Sequence, residues 1–525
     1  MANTSKVINQ INSDFVTDES NPLFEFLADA NKNYFSYTGI TEETFSPTIN
    51  FDVISSNSSF NQIAATTLNS PISAIETNLS TSNLCDRNHH ISNNDLTNTD
   101  LIPQAAASYT TGFEALLSGS YWNSQTISYS FMTTVPNYYS GNAQERNQFV
   151  AFNETQQAAA RRALQLYSEV SGLKFVEVSD AGAGGTIRFG TANIEHGSAH
   201  AYLPNNDPIG GDVWLNNSYS PNLTQSNGSD GFHTLIHEIG HALGLKHPGN
   251  YNAGGGGAEG PYLYSDLDSN QYTVMSYNEH PGSVANPQTP MLYDIAAIQY
   301  LYGANYNTRP GNNTYAWNAS QAFVETIWDG GGIDTIDASN QGISVTINLN
   351  PGTFSNIGPE YDGSWYSASN NLAIASGVTI ENAVGGAGND VLIGNTVDNY
   401  LFGGSGNDYL VDNAGSDTLI GGSGNDTIVG GSGYDILTGG TGYDTFVLGE
   451  SSNVFYQGDE YAVITDFNWQ YDYIQVEGTR SQYSLGTGNW FGNSAQDTAI
   501  FFGNDAIAVV QDVTNVNFDH DFLFV

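Results

Sequence analysis

Residues 385–447 are seven consecutive nine-residue units, and no other stretch restricts the fold of this chain so tightly. The first reads Gly385-Gly386-Ala387-Gly388-Asn389-Asp390-Val391-Leu392-Ile393, and units starting at Gly403, Gly421, Gly430 and Gly439 follow the same plan. Glycines let each six-residue turn curl tightly and expose its carbonyl oxygens, because glycine alone enters the required backbone regions without steric cost. The sixth residue adds a carboxylate, and both oxygen types are hard ligands suited to calcium. The last three residues of a unit predict a short strand whose middle side chain points inward. Those middle residues are Leu392, Leu401, Leu410, Leu419, Ile428, Leu437 and Phe446, all apolar. The inward series argues against a disordered Gly/Asp linker and for a parallel β-roll with calcium between its turns.

The repeat resembles the nonapeptide repeat of calcium-binding RTX proteins. The resemblance implies that successive turns lie on alternate sides of the roll. Units one, three, five and seven then share one edge, with Asp390, Asp408, Asp426 and Asp444 in the ligand position. The glycines of those turns, Gly386, Gly388, Gly404, Gly406, Gly422, Gly424, Gly440 and Gly442, complete the expected sites. The opposite edge carries Asp417, Gly431, Gly433 and Asp435, but unit two has Asn399 in place of the aspartate and unit four opens Asp412-Asn413. Fewer and looser calcium sites are expected there. Asp329-Gly330-Gly331-Gly332-Ile333-Asp334 resembles a further calcium turn, with Asp334 as ligand. Without calcium, carboxylate repulsion is expected to keep the tract unfolded.

A second segment carries chemistry: His237-Glu238-Ile239-Gly240-His241-Ala242-Leu243-Gly244-Leu245-Lys246-His247-Pro248. Histidines four apart project from one face of a helix, one turn apart, and their neutral imidazoles suit zinc. Glu238 follows the first ligand, placed to take a proton from water and hand it to a leaving amine. Gly244 stops the helix in the left-handed region, so the chain turns back and brings His247 to the same metal. Three protein ligands leave the fourth position open, the layout of a catalytic site.

The extended motif resembles the metzincin metalloproteases, and Pro248 after the third histidine resembles their serralysin branch. Val274-Met275-Ser276-Tyr277 follows at the place of the metzincin Met-turn. The resemblance implies that Met275 floors the metal site and that Tyr277 approaches the zinc, then swings to stabilise the oxyanion. Pro290–Gly303 is similar to the last helix of the catalytic domain, and Ile464–Phe467 with Asp472–Ile474 to the strand pair after RTX repeats. Upstream, Ile127–Phe131 resembles the start of the protease domain, and Thr186–Gly190 and Asp212–Leu215 read as strands. Residues from about Gln144 to Val170 read as an amphipathic helix with Ala158, Ala159, Leu164 and Tyr167 inward. His200 and Gly210-Gly211-Asp212 resemble the matrixin structural-zinc region, but Trp214 stands where a histidine is needed. His196 and His200 are therefore expected to be hydrogen-bonded loop residues or contacts lining the cleft, and one zinc is expected.

The expected fold is an α+β metzincin catalytic domain, a mixed sheet plus helices, followed by an all-β parallel roll and sandwich. Boundaries are expected at 1–105 for a propeptide-like extension, 106–305 for the protease domain and 306–525 for the roll domain. The extension holds the only cysteine, Cys85, whose thiolate is a candidate zinc ligand for a latency switch, although the matrixin switch residues around it are missing. With 54 acidic against 11 basic residues and a formal charge of −43, the chain is excluded from binding nucleic acid through phosphates. No continuous apolar stretch reaches the length of a signal-peptide core near the start or of a membrane span anywhere. The resemblance instead implies type I export through the C-terminal Asp521-Phe522-Leu523-Phe524-Val525, with folding on extracellular calcium. The expectation is a secreted, monomeric zinc endopeptidase acting on extracellular proteins, made as a zymogen. A non-enzymatic calcium-binding adhesin is the alternative; a pore-forming toxin lacks the long apolar helices it needs.

Overall fold

The computed structural model describes residues 84–87, 109–110 and 112–525, except 196, 253–256, 258 and 493. These fall in one compact unit, Ser82–Val525. Six strands form the first sheet: β1 Leu84–Arg87, β2 Thr126–Phe131, β3 Lys174–Glu177, β4 Ile187–Ala192, β5 Ala199–Tyr202 and β6 Asp212–Asn216. Their order is β1-β5-β6-β4-β2-β3. The four strands from β6 to β3 run parallel, β5 is antiparallel to β6, and β1 is antiparallel to β5.

Three helices flank this sheet. Helix α1, Glu154–Val170, starts where Asn153 and Gln156 exchange side-chain and backbone hydrogen bonds, a capping box. It starts later than the pattern predicts. Gln144–Arg146 is a separate 3-10 turn, held there by buried Glu145, which accepts from Tyr202 Oη at 2.6 Å. The inward face holds Ala159, Ala160, Ala163, Leu164, Tyr167 and Val170, whereas Ala158 is exposed, correcting the expected register. Helix α2, Asp230–Leu243, is capped by Ser229 and buried from Gly231 to Leu243. Helix α3 is Leu292–Tyr302. Burial on all sides places α2 in the middle of the core, so side chains on it are held by packing rather than by solvent-facing contacts.

The rest of the described chain is nearly all strand. A seven-stranded sheet and an eleven-stranded sheet are both largely parallel. Strands of alternate units pair in register, Leu392 with Leu410, Leu410 with Ile428 and Ile428 with Phe446 on one side, Leu401 with Leu419 and Leu419 with Leu437 on the other. All seven middle residues are 0% exposed. They form the floor of a core continuous with that of the first sheet and its helices. Tyr461–Ile464 and Tyr473–Val476 do not pair with each other, as the resemblance implied; each extends a different sheet of the roll. The last strand, Phe522–Phe524, pairs in parallel with Tyr473–Val476. No helix among the described residues is long and apolar enough to cross a membrane.

Candidate metal centre

Helix α2 holds the first two histidines one turn apart, with ring centroids separated by 4.7 Å. Gly244 ends it at φ 111°, its N–H returning to the carbonyls of Gly240 and His241. A side chain there would strike the Ser120 carbonyl, so both conformation and space demand glycine. The reversed chain brings His247 Nε2 to 3.2 Å from His237 Nε2 and 3.0 Å from His241 Nε2.

The outer nitrogens decide what these contacts are. His237 Nδ1 faces the Val274 carbonyl at 2.7 Å, and His241 Nδ1 faces the Leu245 carbonyl at 2.8 Å. His247 Nδ1 faces Asn252 Oδ1 at 2.8 Å and the Tyr251 carbonyl at 3.2 Å. A carbonyl oxygen only accepts, so every Nδ1 carries the proton and every Nε2 presents a lone pair. Three lone pairs converging in a buried site repel unless a cation sits among them. Tetrahedral zinc with ligands at about 2.05 Å sets its nitrogens about 3.3 Å apart, close to the spacing seen. Burial, then the neighbouring His247, pushes the His241 imidazole well below its usual range, which keeps it neutral as a ligand must be. Among the described residues this is the sole group of three or more His, Cys, Asp or Glu side chains positioned to share one metal. The donors present therefore fit zinc.

Glu238 lies on the same helix between two of these histidines and is fully buried. The Tyr277 ring stands 4.5 Å from the His247 ring and 6.1 Å from that of His237, between centroids. Met275 is buried against α2: a Cβ on Gly240 would come within 2.6 Å of its sulfur and 2.9 Å of Tyr167 Oη. The glycine inside the histidine motif thus lets the helix sit on the turn that carries Met275.

Sequence reasoning missed the groups that hold this turn. Asp294 of α3 accepts from Thr273 Oγ1 at 2.6 Å, Val274 N at 2.7 Å and Met291 N at 2.8 Å, and burial pushes its carboxyl up to about 7. Its signal was an acid inside an apolar helical run. Asp268 accepts from Tyr251 Oη at 2.7 Å and Ser276 Oγ at 2.6 Å, tying the loop after His247 to the residue before Tyr277. The Tyr251 ring packs beside both, 5.6 Å from the His247 ring and 4.8 Å from that of Tyr277.

The other singled-out residues lie elsewhere. His200 sits on strand β5, not on a loop, with Nε2 3.2 Å from Glu145; Trp214 Nε1 donates to Tyr139 Oη. His196 lies outside the described residues. The backbone of Cys85 pairs with Ala201 at the sheet edge, and nothing of its side chain is described.

In the roll, consecutive aspartates of one edge are stacked. Asp390 N donates to Asp408 Oδ1, Asp408 N to Asp426 Oδ1, Asp426 N to Asp444 Oδ1, all at 2.8–2.9 Å. Asp444 N continues to Asp472 Oδ1 at 3.1 Å, an extra member outside the repeat. The other oxygens, Oδ2 of Asp408, Asp426 and Asp444, are buried with no protein partner, as is Asp334 Oδ2. Asp390 differs, since its two oxygens accept from Val345 N and Gly386 N. On the second edge Asp417 N donates to Asp435 Oδ1, and Asp435 Oδ2 accepts from Tyr456 Oη at 2.7 Å. Glycines 404, 406, 422, 424, 431, 433, 440 and 442 all have positive φ, whereas 386 and 388 do not.

Two family models match the chain, one described as Matrixin over residues 121–253 and one as Peptidase M10 serralysin C terminal over residues 293–521. Over these stretches the chain is similar to the serralysins. Among serralysin relatives, Metallopeptidase AprA of Pseudomonas marginalis is 40% identical over 303 residues, covering 52% of this chain and 61% of its own length. Serralysin of Proteus mirabilis is 40% identical over 282 residues, covering 47% and 55%. Serralysin C of Dickeya chrysanthemi is 40% identical over 304 residues, covering 51% and 59%. The chain thus matches between 55% and 61% of the length of these three relatives.

Proposed function

We propose that this serralysin-like chain is a secreted zinc-dependent endopeptidase that hydrolyses peptide bonds of extracellular proteins. The observation that carries the reading is the convergence of three Nε2 lone pairs, each fixed by an outer acceptor, beside the buried Glu238. Zinc bound by His237, His241 and His247 supplies Lewis acidity for water and for the scissile carbonyl. Glu238 takes the proton of the attacking water and returns it to the departing amine. The Tyr277 phenol donates a hydrogen bond to the oxygen that gains charge in the tetrahedral state. Met275 and the Asp294 bonds keep the floor of the site rigid, so that His237 holds its tautomer against the Val274 carbonyl.

Calcium belongs to the same reading. Buried carboxylate oxygens without a protein donor, spaced along one edge beside glycine turns, are a set that only a hard cation or protons can satisfy. Asp408, Asp426, Asp444 and Asp334 offer those oxygens. Residues 1–105 keep the enzyme latent in this reading, for which the antiparallel seat of Leu84–Arg87 on edge strand β5 is the support; Cys85 lies within that segment. The type I exporter is taken as partner through residues 521–525.

The test is Glu238→Ala. The variant is expected to retain one zinc per chain and to lose casein cleavage by about 10^2- to 10^4-fold, the usual weight of a general base. Full cleavage by the variant would reject the mechanism, and zinc-loaded wild type that cleaves no casein would return the adhesin alternative.

A further inference from the structure

Two departures from the repeat plan meet on the second edge of the roll. Unit two carries Asn399 where the plan has aspartate, and unit four opens on Asp412 where it has glycine. The two turns are stacked, since Asn399 N donates to Asp417 Oδ1 at 2.8 Å. In regular units the second oxygen of the aspartate lies over the opening glycine of its own turn. A Cβ on Gly403 would meet Asp408 Oδ2 at 2.5 Å, and one on Gly439 would meet Asp444 Oδ2 at 2.5 Å. Over Gly394 the corresponding atom is Asn399 Oδ1, at 2.6 Å, and Asp412 Oδ2 reaches the same place from unit four, closer still.

The Asp412 carboxylate is 2% exposed. Its Oδ1 accepts from Asn413 N at 2.6 Å and Ala414 N at 3.2 Å, and its Oδ2 has no protein partner. Asp417 is 1% exposed, with Oδ1 engaged by Asn399 N and Oδ2 likewise without partner. Among the described residues no lysine or arginine forms an ion pair with either. Burial pushes both carboxyls up to about 7, Asp435 raises Asp412 further and Asp412 raises Asp417, so these acids crowd one buried space with no counter-charge.

We propose that Asp412 supplies the carboxylate that Asn399 lacks, so that Asp412 Oδ2, Asp417 Oδ2 and Asn399 Oδ1 hold a calcium ion between units two and four. The inference rests on the calcium reading of the roll, and it reverses the expectation drawn from the repeat alone. Each departure read singly removes a ligand or crowds a turn; together they return two carboxylates to the gap, as on the first edge. The second edge is then no looser at this point. Closer to unit six, Tyr456 Oη already satisfies Asp435 Oδ2, so the cation is needed at the Asp412 turn and not at the next one.

Calcium binding by the full chain, read by equilibrium dialysis and by calorimetric titration, tests the site. Asp412→Gly gives unit four the regular opening glycine and is expected to bind one calcium fewer than the parent. Asn399→Asp added to Asp412→Gly rebuilds the plan and is expected to restore that ion. An Asp412→Gly chain that binds as many ions with unchanged affinity would overturn the site, leaving the acid pair held by a proton. Failure of the double variant to recover the ion would overturn the compensation. A parent chain that binds no calcium would overturn the reading of the whole roll and this site with it, so the two failures are distinguishable.

Discussion

The zinc centre and the roll both bury metal-binding side chains, but they solve the problem of burial in opposite ways. At the zinc centre the ligands are neutral imidazoles, and each outer nitrogen is already bonded to a fixed acceptor. Removing the metal leaves lone-pair repulsion among ligands that themselves carry no charge. In the roll the candidate ligands are carboxylates, and Asp408, Asp426 and Asp444 each have one oxygen bonded to the backbone of the neighbouring turn and the other unsatisfied. Removing the metal there leaves charges in a low-dielectric interior, which is far costlier than a strained neutral cluster. In the proposed reading, one metal serves chemistry on a fold that exists without it, while the other completes the fold itself.

Perturbing each region alone sharpens the contrast. Tyr277→Phe is expected to lower kcat by about 10^2- to 10^3-fold, the weight of one oxyanion donor, with no change in the melting of the roll. Steady-state cleavage of a peptide beside a calorimetric scan reads both; a melting shift equal to that of a core variant would place Tyr277 in the scaffold instead. Leu419→Ala acts on the other side. It empties a fully buried position between Leu401 and Leu437 and is expected to destabilise the roll by about 2–5 kcal/mol while kcat/KM of the calcium-loaded enzyme holds. Chemical denaturation in calcium checks the size.

The smallest effect is one of pH. Burial pushes Asp408 and Asp444 up to about 6 and Asp426 up to about 7. These folded-state values lie above the ordinary carboxyl range, so the folded, calcium-free roll binds more protons than the unfolded chain. Its stability is therefore full below the ordinary carboxyl range and is lost as pH rises through about 6 to 7. The calcium-free Tm is expected to fall from pH 5 to pH 8, and saturating calcium to reverse that slope because protons compete with the ion. Equal slopes with and without calcium would remove the carboxylates from the metal account.

How far the sequence reached depends on the range of the interactions involved. The ligands of the zinc centre were legible because helix periodicity and one glycine stop place all three within eleven residues. The roll was legible because its period repeats, and the inward series Leu392 to Phe446 has one environment throughout. What was hidden depends on which turns and loops meet. Asp268 and Tyr251 join segments on both sides of the metal loop, and no local pattern marks their meeting. Asp472 extends the aspartate stack from outside the repeat, just ahead of the strand Tyr473–Val476 that joins the roll through parallel pairing. Asp390 fits the plan by sequence, yet backbone N–H groups occupy both of its oxygens. Helix α1 begins at Glu154 because Asn153 caps it, while Glu145 is drawn to Tyr202 across the sheet. Asn399 and Asp412 read as defects singly, since only the stacking of turns two and four shows them side by side.

The central claim is that zinc runs the chemistry on a scaffold whose roll is completed by calcium. It is tested most directly by stripping zinc alone, with a chelator selective for zinc in the presence of saturating calcium. Casein cleavage and near-UV circular dichroism are then read on the same sample. Cleavage is expected to vanish and to return with one equivalent of zinc, while the spectrum does not change. Cleavage that persists in zinc-free protein, or a spectrum that collapses on loss of zinc, would contradict the account.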